Sequence, residues 1–365
     1  MRKCGNRKNR QKRKKWLDRR ARRLCVLKAW RKRLRRMKRS RTGMAGRRSD
    51  VNRKQIVQCN PKKHAKVSFP KELSVKTKFD DLVGFLGRLK QAFFEDRAGT
   101  VEIDHSEIER LTPGGILVLL AEFSRITSYT RGAILRGRFS GVKPEVMELL
   151  GKSGYLDNFP RIRRGGESGD RRIFVSAKSG TETDGAAAAA LTGLFRENEF
   201  ISEHGEKQLG RALIECMQNV GHHAYPDRKD ENWLRKRWWM LGYADPGNDE
   251  IYFAFYDQGV GMPVTLRFRA KDKIFSGRFI GKTDEDLIVK AFEGAFSSTK
   301  LENRGLGLPT LKKMVDEAPD GELFVQSRKS RVVLSPNQAP VGQAMEKELA
   351  GTLLVWHLRR GTEER

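Results

Sequence analysis

Apolar positions change their spacing several times along the chain, and each change marks an element. Ala65-Lys-Val-Ser-Phe69 alternates and predicts a short strand. Within 75–97, Phe79, Leu82, Val83, Phe85, Leu86, Leu89, Phe93 and Phe94 recur at helical spacing. Thr100-Val-Glu-Ile-Asp104 alternates again. A Pro113-Gly114-Gly115 turn then precedes a helix over 116–127, Ala133-Ile-Leu135 forms a third strand, and Pro144 opens a helix over 144–152. Strand and helix alternate three times, the order of an α/β layered domain.

The second half repeats the logic with longer elements. Arg172-Ile-Phe-Val-Ser176 is one short strand candidate, and Asp184-Gly185 with five alanines opens a helix that runs through Leu191, Leu194 and Phe195. Leu209, Ala212, Leu213, Cys216, Met217 and Val220 form one apolar stripe, with Glu215 and Asn219 four apart on its flank. Two apolar runs, 237–243 and 250–256, flank the turn Pro246-Gly247-Asn248-Asp249, and the second ends in Asp257-Gln-Gly-Val-Gly261. Residues 286–300 hold Leu287, Ile288, Ala291, Phe292, Ala295 and Phe296, then Ser297-Ser298-Thr299-Lys300. The glycines of Asn303-Arg304-Gly305-Leu306-Gly307-Leu308 precede another helix, and 321–326 and 351–358 read as closing strands. Glycines before a helix expose N–H groups, which together with the helix dipole can cradle phosphates.

Charge divides the chain. Hydrophobic residues make up 38% and charged residues 33%, enough apolar content for real cores, and the net charge is +29. Residues 1–60 carry 26 Arg or Lys against 2 Asp or Glu, so +24 lies in the tail and only +5 in the remaining body. Phosphate-backbone binding is the direct use of such a tail, with Trp16 and Trp30 as stacking groups. An anionic membrane surface and simple solubilisation are the alternatives. No base-reading motif is present, so nucleic-acid binding through residues 1–60 would be non-specific. The longest apolar runs fall short of the roughly 20 residues of a membrane helix. No secretory signal is expected, and four cysteines and six histidines show no metal-ligand spacing. A reduced, cytoplasmic protein is the default expectation.

The stretch Val101-Glu-Ile-Asp104 followed by Leu111-Thr-Pro-Gly-Gly-Ile-Leu117, and later Leu149-Leu-Gly151 with Gly154-Tyr-Leu156, resembles the STAS fold of anti-sigma antagonists. Pro113 stands where that family carries a phosphorylated hydroxyl, so no phospho-switch is expected there. The later motifs are similar, in order, to those of the GHKL superfamily of ATP-binding domains (gyrase B, Hsp90, histidine kinases, MutL, anti-sigma serine kinases). Glu-x-x-x-Asn is Glu215-Cys-Met-Gln-Asn219, Asp-x-Gly-x-Gly is 257–261, Gly-x-Gly-Leu is 305–308, and Ala295-Phe-Ser-Ser-Thr-Lys300 matches a lid segment. The fold class implied is α/β: a STAS-like layered domain, then a two-layer α/β sandwich of the Bergerat type with a mixed sheet. The boundaries are a basic tail at 1–62, the STAS-like domain at 63–162, a linker at 163–188 and the ATP-binding domain at 189–361.

The same resemblance implies the cofactors ATP and Mg²⁺ and assigns roles. Asn219 binds Mg²⁺ and Glu215 acts as base. Asp257 accepts from the adenine amine, and Gly259 and Gly261 floor the purine pocket. Gly305 and Gly307 shape the phosphate loop, Thr299 and Lys300 meet the terminal phosphates, and Thr352 holds a water near adenine. The charged stretch 264–285 begins a lid. The implied function is an ATP-binding regulatory protein with slow ATPase or protein serine/threonine kinase activity, coupled to a protein partner through the STAS-like domain. The alternative is a non-catalytic nucleotide-gated module held on nucleic acid by its tail. A homodimer is left open.

Overall fold

The computed structural model describes residues 56–159, 172–225, 237–272, 281–293, 307–318 and 320–359. Contacts group Met1–Ile56 apart from Val57–Arg365. The expectations for the tail, Trp16 and Trp30 included, fall outside the described residues.

The second unit begins earlier than its apolar pattern indicates. β1 (Val57–Gln58) and β2 (Asn60–Ser68) form where the sequence reads as a polar linker. β2 is an edge strand with Lys62, Lys63 and His64 exposed, and an edge is where a strand tolerates Pro61. Then come β3 (Glu72–Leu73), α1 (Phe79–Lys90) extended by a wider turn at 91–95, β4 (Ala98–Asp104), β5 (Arg110–Leu111), α2 (Pro113–Tyr129), β6 (Thr130–Arg131), β7 (Ile134–Arg138) and α3 (Pro144–Lys152). β2, β4 and β7 pair in that order, parallel throughout.

α2 differs from its expectation at its start. Pro113-Gly114-Gly115 is the first turn of the helix, not a turn before it. Thr112 caps it by accepting the Gly115 N–H, and Pro113 takes the position where a missing N–H costs nothing. Both glycines permit close approach. A Cβ on Gly115 would stand 2.7 Å from the Leu73 carbonyl oxygen, and one on Gly114 would stand 2.8 Å from Val355 Cγ2.

Within the segment expected as a linker at 163–188, the strand candidate at 172–176 is part of β8 (Ile173–Gly180), and α4 (Gly185–Glu197), capped by Asp184, starts where the sequence opens it. α5 (Glu203–Asn219) follows, capped by Ser202 and continued by a wider turn at 220–224. Then come β9 (Trp238–Asp245), β10 (Glu250–Asp257), α6 (Met262–Asp272), α7 (Asp284–Phe292), α8 (Gly307–Asp316), β11 (Glu322–Leu334) and β12 (Val341–Arg359). The five-stranded sheet runs β11-β12-β10-β9-β8, antiparallel at every pairing, and is not the mixed sheet expected. The turn at 246–249 and the β11–β12 hairpin return the chain directly, which forces antiparallel neighbours.

Both faces of this sheet are buried. Along β10, Ile251, Phe253 and Phe255 face a core with α4, α5, α7 and α8, while Ala254 and Tyr256 face the core of the N-terminal layer. Trp239, Leu241, Phe324, Leu349 and Leu353 join that second core with Ile116, Leu117, Leu119 and Phe123 of α2. α2 is therefore apolar nearly all round, as expected of a helix buried on more than one side. Polar ties reinforce the contact. Lys76 pairs with Glu322 at 2.6 Å, and Arg331 donates to the Val75 carbonyl at 2.8 Å. Val57–Arg365 is thus a mixed α/β fold with a parallel sheet, an antiparallel sheet and a core shared between them.

Candidate functional site

α5 ends against the end of β10, and a pocket opens between them. Cys216, Asn219, Val220, Ala224, Phe255, Asp257, Gly261, Met262, Thr265, Leu266, Leu308, Thr352 and Leu354 line it, around about 640 Å³ of empty space that includes its mouth. The walls are mostly apolar, with a few polar groups at fixed places, the composition of a small-molecule pocket.

Asp257 is the last residue of β10 and is only 7% exposed. Its Oδ1 accepts the Gly259 N–H at 2.7 Å, and its other oxygen has no hydrogen-bond partner among the described residues. Burial pushes its carboxyl up to about 7, opposed in part by the Gly259 bond. The titratable groups around it are Cys216 on α5, Tyr225 just beyond, and Tyr256 beside it. Burial raises all three, so none carries charge near neutrality. A buried carboxyl with a free oxygen and, among the described residues, no offsetting cation calls for a donor from the pocket.

The Asp257–Met262 turn fits only because of its glycines. A Cβ on Gly259 would lie 2.5 Å from the Ala224 carbonyl oxygen, the group that also accepts the Val260 N–H at 2.8 Å. Gly261 has φ +86°, outside the range of most side chains. Gly351, on the neighbouring strand at φ +78°, would place a Cβ 1.8 Å from the Asp257 carbonyl oxygen. That makes room for the pairing of Asp257 with Thr352 across the ladder.

Thr352 and Ser327 share a small network. Ser327 donates to the Gly351 carbonyl at 3.0 Å, so Thr352 supplies the proton of the 3.0 Å bond between the two hydroxyls. Both oxygens accept the Met262 N–H, at 2.9 Å from Ser327 and 3.2 Å from Thr352. Ser327 has no sequence signal of its own. Only its register opposite Thr352 reveals the role.

The expected residues divide into three groups. Asn219, Asp257, Gly261 and Thr352 meet in the pocket. Glu215 is half-buried one helical turn before Asn219 and does not line the pocket, and Gly259 supports Asp257 from within the turn. Gly307 begins α8, while Thr299, Lys300 and Gly305 lie outside the described residues. Of the expected lid, 264–272 is helical, 273–280 lies outside the described residues, and Asp284 opens α7, held by a capping box between Thr283 and Asp286.

No protein-family model and no curated protein matches the chain. Among the described residues, no group of three or more His, Cys, Asp or Glu could hold a metal ion, and no helix is long and apolar enough to cross a membrane.

Proposed function

We propose that the chain is a Mg²⁺-dependent ATP-binding regulatory protein of the GHKL type, its ATP-binding part fused to a STAS-like layer. The observation that carries this reading is the convergence of Asn219, Asp257, Gly261 and Thr352 on one mostly apolar pocket. They come from three separate segments, and they are residues whose order along the chain resembles the nucleotide motifs.

The pocket fits the base of a nucleotide. The free oxygen of Asp257 suits an exocyclic amine, the apolar walls suit a flat ring, and Thr352 retains a lone pair for a bridging water. Asn219 offers one amide oxygen from the pocket lining. Mg²⁺ binds through few protein oxygens when phosphates supply the rest, so the ion would enter with the triphosphate, where it neutralises phosphate charge. Glu215 is placed to reach a water or hydroxyl beside the phosphates only if the ligand extends past Asn219.

Calorimetric titration of the full chain with ATP, with and without Mg²⁺, tests the reading. Saturable binding that tightens with Mg²⁺ supports it, and no heat at millimolar ATP removes it. Incubation with γ-labelled ATP and a cell extract then separates the chemistry: free phosphate means an ATPase, a labelled partner means a kinase, and neither means a nucleotide sensor.

The +24 tail supports a second role for the same molecule, non-specific attachment to nucleic acid. Because β1 begins at Val57, the deletion that tests this must stop at residue 56.

A further inference from the structure

The pocket is only as well defined as the turn from Gly259 to Met262 that forms part of its rim. Arg328 braces that turn from outside the pocket. β11 and β12 shift register on both sides of Arg328, and its backbone is left-handed at φ 55°. A bulge of this kind re-aims a side chain at a conformational cost that other contacts must offset. The aim here is specific. Arg328 Cγ and Cδ lie 2.7 and 3.0 Å from where a Cβ on Gly261 would stand, so the arginine stem occupies the space that the glycine leaves. Nη1 donates to the Val260 carbonyl at 3.3 Å, and Nη2 pairs with Glu348 of β12 at 2.8 Å. The preceding residue, Ser327, accepts the Met262 N–H. Arg328 itself does not line the pocket.

We propose that Arg328 is a positioning residue of the pocket: its side chain, oriented by the bulge and held by Glu348, keeps the Gly259–Met262 turn in the one arrangement that leaves Asp257 facing a ligand. The proposal deepens the nucleotide reading and rests on it for the choice of reporting ligand. It also accounts for a left-handed arginine where glycine or asparagine would be easier, since only a long cationic side chain reaches both Val260 and Glu348.

Arg328→Gly keeps the backbone conformation without strain and removes the brace, and Arg328→Lys keeps the stem and one donor. In the full chain, amide hydrogen exchange at Gly259, Val260 and Met262 is expected to accelerate about tenfold in R328G and less in R328K, while amides of β9 keep their rates. Affinity for ATP with Mg²⁺ is expected to fall about fivefold in R328G. Glu348→Gln is expected to give part of the same loss, and none beyond it when combined with R328G. Unchanged exchange at the three amides overturns the proposal. So does uniform acceleration, which marks general destabilisation, or faster exchange with unchanged ATP affinity, which would mean that the pocket does not depend on the turn. If the wild-type chain binds no ATP, the nucleotide reading fails, and the exchange measurement alone decides the role of Arg328.

Discussion

At the scale of single residues, Asp257 sets function against stability. Its carboxyl takes up a proton more readily in the folded chain, near pH 7, than in the unfolded chain, near pH 4. Between those values the folded state holds more protons, so stability falls as pH rises from about 4 to about 7 and is level above. Asp104 works in the opposite direction. The hydrogen bond from Lys66 holds it below the usual carboxylate range, with Ser106 and Arg138 assisting, and its contribution is lost as the solution is acidified. Comparing Asp257→Asn with the wild type at one pH cancels the Asp104 effect. The variant is expected to match the wild type near pH 4 and to be more stable at pH 8 by roughly 1–4 kcal/mol, measured by denaturant unfolding. Its ATP affinity is expected to drop at least about tenfold, the scale of a charged hydrogen bond. Asn219→Ala should leave Mg²⁺-free binding intact and abolish its strengthening by Mg²⁺, read by calorimetry. Gly351→Ala, which drives a Cβ into the Asp257 carbonyl, should cost at least about 2 kcal/mol of stability.

Among the elements, α2 is the one on which the two halves depend. Gly114→Val is expected to destabilise the chain by about 1–3 kcal/mol, because the new side chain meets Val355 of β12 rather than solvent. A loss below about 0.5 kcal/mol in urea unfolding would mean that the helix does not press on the sheet. Local sequence placed α3, α4 and β10 closely, since their caps and turns are local: Pro144, Asp184 and the turn at 246–249. It failed where the deciding partner is distant. Lys62 and Lys63 read as linker because an edge strand needs no apolar face, and only the first half of β8 was legible, because its burial alternates weakly beyond 176. The hairpin from Ser327 to Ala350 hides behind polar residues whose pairing is set by the opposite strand. The double-sided burial of the sheet was present in the sequence as unbroken apolar runs at 238–244 and 251–256. The site was legible as residue types in order, whereas Ser327 and Arg328, which act through register and a bulge, were not.

For the whole molecule, the shared core predicts one cooperative unfolding transition for Val57–Arg365, because separating the halves would expose Trp239, Leu241, Tyr256 and Leu353 to water. Two resolved transitions in calorimetry would contradict it. Deleting residues 1–56 is expected to leave that transition in place and to remove most affinity for duplex DNA, with a steep salt dependence in the intact chain and little in the truncated one. The same core also sets a timetable for synthesis. α2 leaves the ribosome long before β12, which supplies part of the surface that it buries against. At about 5–20 residues per second, the helix waits roughly 10–50 s with its apolar flank open. During that interval the nascent chain presents a sticky helix and carries a strongly basic N-terminal segment, on a particle made largely of RNA. The production of this protein should therefore depend on holdase chaperones more than its finished surface indicates.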